Sequence, residues 1–267
     1  MGADIKKLKT RIKSVDSTLH LTKAMGLVAS SKIKRATDAM HKSREYAENI
    51  ENAISMMTAC RECMKSPFMQ KRNSEKTALI IIAGDRGLAG GYNANIFRLA
   101  KEYKVDEVFA IGKRACDRFG GDLKLAETFT YRDAMALSKE LCVRFREGEF
   151  DRVGIISTKY VSMMSQEAQL RWVLPLEKNN NVITQSIVFE PDEITILDTA
   201  IFEYMTAMII AAVRESFASE VAARRFAMDS AGKNAGQMLD DLQLRYNRAR
   251  QGAITQEITE IVAGSDA

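Results

Sequence analysis

The chain has 267 residues, with 46% hydrophobic and 28% charged positions, 3 prolines and a net charge of +4. That is enough apolar material for a packed core, in one large domain or two modest ones. The mild positive charge is far from the basic excess of a dedicated nucleic-acid binder, and four cysteines in a chain this long do not make a disulfide scaffold.

The N-terminal stretch carries the clearest pattern. Ile5, Leu8, Ile12, Val15, Leu19, Thr22, Gly26, Ala29, Ile33, Ala36 and Met40 recur at alternating steps of three and four, and Ser43, Ala47, Ile50, Ile54 and Met57 continue the frame. Roughly seven heptads in one register predict a helix over residues 3–57 with a coiled-coil seam. The middle of that seam is small (Thr22, Gly26, Ala29, Ala36), so a partner backbone can come close while little apolar area is buried. Residues 6–35 also carry nine Lys or Arg against one acid, Asp16. Such a face suits an acidic protein partner, nucleic acid, an anionic membrane or plain solvation, the membrane least because the basic residues ring the helix. Interleaved aromatics and nucleic-acid recognition motifs are absent from it.

Cys60 and Cys63 form a C-x-x-C pair, but no second pair follows, and His20 and His41 lie far upstream. Ordinary reduced thiols in a reducing compartment are expected, with no metal site.

Residues 77–190 read as α/β. Apolar runs at 77–83, 107–112 and 152–158 alternate with helical stretches at 94–103, 113–119 and 131–147, and further strands are expected at 168–176 and 185–191. The first run enters the glycine-rich loop "AGDRGLAGGYN" (83–93), which leads into a helix. A strand, a glycine loop and a helix N-terminus can cradle a phosphate. No Lys-Ser or Lys-Thr follows Gly90 and Gly91, however, and Gly84, Gly87, Gly90 and Gly91 do not fit G-x-G-x-x-G. The competing reading is a tight turn in which Asp85 or Asn93 bonds local backbone. Two histidines and the lack of H-E-x-x-H or G-x-S-x-G leave no catalytic constellation.

From about Ile196 to Val262 there is no proline, and a second long helix is expected. Leu239, Leu242, Tyr246, Ala249 and Ala253 supply a matching seam, with Ile254, Ile258 and Ile261 in a shifted frame. Gly232, Gly236 and Gly252 are expected to interrupt the pattern. An antiparallel pair would leave the C-terminal end projecting past the N-terminal one. The most apolar run, 207–213, is too short to span a bilayer, and no secretory leader is seen at the start.

Three blocks, "IKSVDSTLHLTKAMGLVASSKIKRA" (12–36), "DRGLAGGYN" (85–93) and "YNRARQGAITQEITEIVAG" (246–264), together resemble the gamma subunit of the F-type ATP synthase. Their order and spacing extend the resemblance over essentially the whole chain. It is of the bacterial type, without the chloroplast regulatory insertion. The resemblance implies an α/β protein in which a long antiparallel coiled coil of N- and C-terminal helices (1–75 and 193–267) joins a central Rossmann-like α/β domain (76–192). It implies a non-catalytic rotor shaft without cofactor, coupling ion-driven rotation of a membrane c ring to ATP synthesis or hydrolysis in the beta subunits. The partners implied are three alpha and three beta subunits, the epsilon subunit and the c ring. Direct membrane insertion and nucleic-acid binding are not expected, and the place is peripheral, on the cytoplasmic face of a bacterial cell membrane.

Residue by residue, the resemblance assigns rotor–stator contacts to Lys23, Met25, Arg224, Gln251 and Thr255, and an apical bearing to Ile258, Ile261 and Val262. It makes Asp85, Arg86, Gly87, Gly90, Gly91 and Asn93 a family turn motif, although Ala89 stands where the family usually has Cys. "FEP" (189–191) resembles a foot motif, so Glu190 is expected near c or epsilon. A basic coiled-coil adaptor for nucleic acid is the alternative reading.

Overall fold

The computed structural model describes residues 2–72, 76–179 and 190–265. Helix α1 runs Gly2–Thr58; two short 3-10 turns, Glu62–Lys65 and Pro67–Met69, lead to strand β1 (Thr77–Ile82). There follow α2 (Tyr92–Ala100), β2 (Glu107–Ile111), α3 (Lys113–Phe119), α4 (Tyr131–Arg146), β3 (Arg152–Tyr160), β4 (Gln166–Leu174) and α5 (Glu193–Ser265). The expected helices and four of the five expected strands are present within a few residues of their predicted limits. Most of the fifth, 185–191, lies outside the described residues. The chain divides into two units, Met1–Ser30 with Arg224–Ala267, and Ser31–Ala223, so the division cuts both long helices.

The larger unit is built on a sheet of order β2-β1-β3-β4, with β1 parallel to β2 and β3, and β4 antiparallel to β3. Every residue of β1 is buried, which explains its unbroken "TALIII" run: a central parallel strand has two covered faces. Ala78, Ile80 and Ile82 face a core shared with α4 and α5, including Phe145, Leu197, Ile201, Met205 and Ile209. Leu79 and Ile81 face a second core with Ile96 of α2 and Ala115 of α3. Each large side chain buried this way contributes about 2 kcal/mol.

Local chemistry sets the helix starts. Thr130 and Asp133 form a reciprocal capping box at the head of α4. The Asp192 carboxylate accepts from the Thr195 N–H (2.9 Å) and hydroxyl (2.8 Å), capping α5. Among the described residues α5 is the one helix long and apolar enough to cross a bilayer. Its apolar stretch nevertheless lies in the core, with Leu197, Ile201, Met205 and Ile209 fully buried.

In the smaller unit α1 and α5 pair antiparallel. Met228 approaches Gly26, and Thr22 approaches Gly232. Seam positions Thr22, Ala29, Ala235 and Leu242 are buried, whereas the intervening positions are mostly exposed. As expected for the second long helix, α5 is continuous through Gly232, Gly236 and Gly252. Gly232 stands in the seam itself, on the same three-and-four spacing as Met228, Ala235 and Leu239, and faces Thr22. Gly232 is half-buried, and its lack of a side chain lets Thr22 come close at the cost of a weak helix propensity. Thr22 keeps its hydroxyl satisfied within its own helix by donating to the Leu19 carbonyl (2.9 Å), so the seam contains a polar atom without needing a polar partner.

Candidate functional site

The glycine loop 84–91 occupies the C-terminal end of β1, the end at which open α/β sheets bind ligands. Asn93 Oδ1 accepts from the Gly84 N–H (2.9 Å), and its Nδ2 donates to the Arg86 carbonyl (3.3 Å), closing the turn locally. Asp85 behaves differently from the local role expected of it. Its carboxylate accepts the backbone N–H groups of Lys113 (3.1 Å), Ala126 (2.9 Å) and Glu127 (2.9 Å), tying three separate loops together. Gly90 has φ +59°, a left-handed conformation that favours glycine. Gly112, opposite the loop, has φ +91°, and a Cβ there would sit 1.9 Å from the Ala83 carbonyl oxygen. These two glycines serve backbone geometry. Gly87 lies close to Arg114, and Gly91 precedes the first residue of α2.

Helix α5 fills the crevice where a phosphate would enter. The Glu220 carboxyl lies against Gly84, 2.8 Å from the place a Cβ would occupy. Ser216 Oγ accepts the Thr158 N–H (2.9 Å), Ser219 Oγ donates to the Thr158 carbonyl (3.3 Å), and the Tyr92 hydroxyl donates to the Ser216 carbonyl (3.0 Å). Burial pushes the Tyr92 phenol well above its ordinary value, so it remains a donor. The loop is therefore a structural junction, as the turn reading expects. Sequence periodicity could not disclose α5 as its occupant, because Ser216, Ser219 and Glu220 are polar residues scattered in a helical run.

The residues assigned to rotor–stator contact lie along the long helices. Lys23 and Met25 flank the seam of α1, Lys23 exposed and Met25 half-buried. Lys23 borders a groove of about 570 Å³ lined by Leu19, Thr22, Gly26, Met228, Gly232 and Gly236, a consequence of the small seam residues. Arg224 is half-buried, and Gln251 and Thr255 are exposed near the end of α5. Ile258, Ile261 and Val262 are 56%, 71% and 55% exposed, an uncovered apolar group close to the end of the helix. Arg86 is exposed and pairs with Glu127 at 3.5 Å. Glu190 is exposed in a bend just before α5.

Of the basic residues between 6 and 35, most are exposed, while Lys32 pairs with Glu127. Cys60 and Cys63 are free thiols, Cys63 buried and donating to the Glu193 carbonyl (3.6 Å). Among the described residues no group of three or more His, Cys, Asp or Glu is placed to hold a metal ion.

Two long helices pairing antiparallel at their far ends, with a mixed α/β sheet inserted between them in sequence, define the fold class of the chain. The sequence model of the ATP synthase family matches residues 4–267. The ATP synthase gamma chain of Ruminococcus albus is 41% identical, covering 98% of both chains. The sodium-ion-specific ATP synthase gamma chain of Acetobacterium woodii is 35% identical, covering 100% of this chain and 99% of the relative. Among solved structures, a chain of the Euglena gracilis mitochondrial ATP synthase (OSCP, F1 and c ring) superposes with a TM-score of 0.73 at 18% identity, covering 100% of this chain and 95% of that one. A chain of the Tetrahymena thermophila mitochondrial ATP synthase central stalk and c ring gives 0.62 at 22% identity, covering 79% and 99%. The chain belongs to the ATP synthase gamma-chain family.

Proposed function

We propose that the chain is the central rotor shaft of an F-type ATP synthase, and that it is itself non-catalytic. It turns inside a ring of three alpha and three beta subunits, joined at its foot to the epsilon subunit and the c ring. The complex is held at the cytoplasmic face of a bacterial cell membrane. One shaft cannot match three identical neighbours equally. Its contacts therefore favour a different conformation in each beta subunit, and rotation moves those preferences around the ring.

The observation that carries this reading is the paired seam of Thr22 and Gly26 with Gly232 and Met228, combined with the exposed apolar group Ile258, Ile261 and Val262. The seam is slim and internally satisfied, as a shaft moving past its neighbours requires, and the apolar group suits a bearing. Lys23, Met25, Arg224, Gln251 and Thr255 are the contacts through which alpha and beta subunits feel the shaft. Exposed Glu190 belongs to the foot, and the basic face of α1 meets acidic stator surfaces. The relatives offer no support for a nucleic-acid role.

The test is a mild purification of the tagged chain from its own cells, with native mass and ATPase activity recorded together. One copy recovered with three alpha and three beta subunits, hydrolysing ATP that the lone chain cannot, is the expected result. Recovery alone, or with nucleic acid released by salt, would overturn the reading.

A further inference from the structure

Strand β3 outruns its neighbour. The β1–β3 ladder reaches Ile81 and Ile156, while β3 continues to Tyr160 against β4. The freed edge of β3 would leave backbone groups unpaired in the interior, where an unmade hydrogen bond is costly. Helix α5 takes over from the missing strand. Ser216 and Ser219, both fully buried, bond the N–H and the carbonyl of Thr158. Glu215 Oε1 accepts the next edge N–H, that of Tyr160 (3.0 Å), and also accepts from Arg44 of α1 (2.6 Å). Tyr92 of α2 holds the Ser216 carbonyl. One turn and a half of α5 is thus bonded to β3, α2 and α1 together.

Toward its N-terminal end α5 is also bonded to this domain, by Ser66 to Asp198 (2.7 Å), Ser138 to the Phe202 carbonyl (2.7 Å) and Tyr131 to the Glu203 carboxylate (2.7 Å). Between those bonds and the Glu215 turn the contact is apolar, with Ala207, Met208, Ile209 and Ile210 all buried. Apolar packing is non-directional and resists unfolding better than it resists a helix turning about its own axis. Hydrogen bonds to a fixed strand edge are directional and define one rotational setting.

We propose that the Glu215–Ser216–Ser219 clasp on the edge of β3 keys the middle of α5 rotationally to the sheet, so that turning force passes between them without slip. This rests on the rotor reading above. Ser216, Ser219 and Glu215 are positioning residues: they act on catalysis only through the angle at which α5 is held.

The experiment uses the whole complex in sealed vesicles carrying Ser216→Ala/Ser219→Ala, and separately Tyr92→Phe. ATP hydrolysis and ion uptake are measured side by side, with a ΔpH dye and with radiolabelled sodium. Thr130→Ala, which weakens the α4 cap without touching α5, is the stability control. The expected result is hydrolysis within about twofold of the unmutated complex with ions moved per ATP falling by about twofold or more, while the control keeps its normal ratio. An unchanged ratio, or uptake and hydrolysis falling together, would overturn the clasp. Should the double variant fail to assemble, Tyr92→Phe decides by the same ratio. Failure of the unmutated complex to move any ion would strike the rotor reading instead, and is recognised because it needs no mutation.

Discussion

Gly26 of α1 faces Met228 of α5 so closely that a Cβ at Gly26 would lie 3.7 Å from the Met228 Cβ. That is ordinary van der Waals contact for a methyl group, whereas a leucine would bring three further carbons up against Met228. Gly26→Ala is expected to be accommodated and to stabilise α1 by about 1 kcal/mol, the helix-propensity difference. Gly26→Leu is expected to force the helices apart. Thermal unfolding followed by circular dichroism distinguishes the two, with a higher midpoint for the alanine variant and a lower one for leucine.

Asp85 ties the loops after β1, β2 and α3 through three backbone N–H groups. Asp85→Ala is expected to cost about 2 kcal/mol, since solvent can reach part of this junction. Asp85→Asn should fall between, because Oδ1 keeps two acceptors' worth of bonding while the amide opposes the Glu127 N–H. Urea titration of the isolated chain measures both. A nucleotide role for the loop would instead show as lost ATP binding with unchanged unfolding.

Alkaline pH should weaken the fold. Burial pushes the Cys142 thiol from 9.0 to about 12 and the Cys63 thiol to about 11, and burial likewise raises the Tyr204 phenol from 10.0 to about 12. In each case the folded state keeps a proton that the unfolded state releases. The contribution is complete below the unfolded value and is lost as pH rises through the interval up to the folded one. Stability is expected to hold to about pH 8 and then decline, and Cys142→Ala should make the decline shallower. Urea midpoints compared at about pH 8 and about pH 10.5 check this.

Arg224→Ala and Gln251→Ala are expected to lower ATPase activity of the assembled complex while the isolated chain keeps its helical circular dichroism. The loss should be several-fold, in the range of about 1 kcal/mol of coupling. Normal activity in both variants would remove these residues from the contact set. Deleting residues 255–267 should likewise change catalysis that occurs in another subunit.

Much of this architecture is legible in the residues because it is periodic. The steps of three and four from Ile5 to Met57 mark the seam, and the "TALIII" run marks a strand covered on both faces. The glycine loop is legible as a turn from what it lacks. Three features are not legible. Gly232 looks like a helix breaker in isolation and is a seam position only once Thr22 stands opposite it. Asp85 reaches Lys113, Ala126 and Glu127 across sequence distances that no local rule covers. Ser216 and Ser219 look like interruptions of an apolar face, and their purpose depends on β3 being longer than β1.

A shaft must turn as one body while another subunit hydrolyses ATP. The direct measurement fixes the alpha–beta ring to a surface, labels this chain with a bead at an exposed position, and follows the bead as ATP is added. Unidirectional rotation with three pauses per turn, at a rate tracking hydrolysis, is the predicted result. Sustained hydrolysis with a stationary or randomly fluctuating bead would contradict the rotor reading.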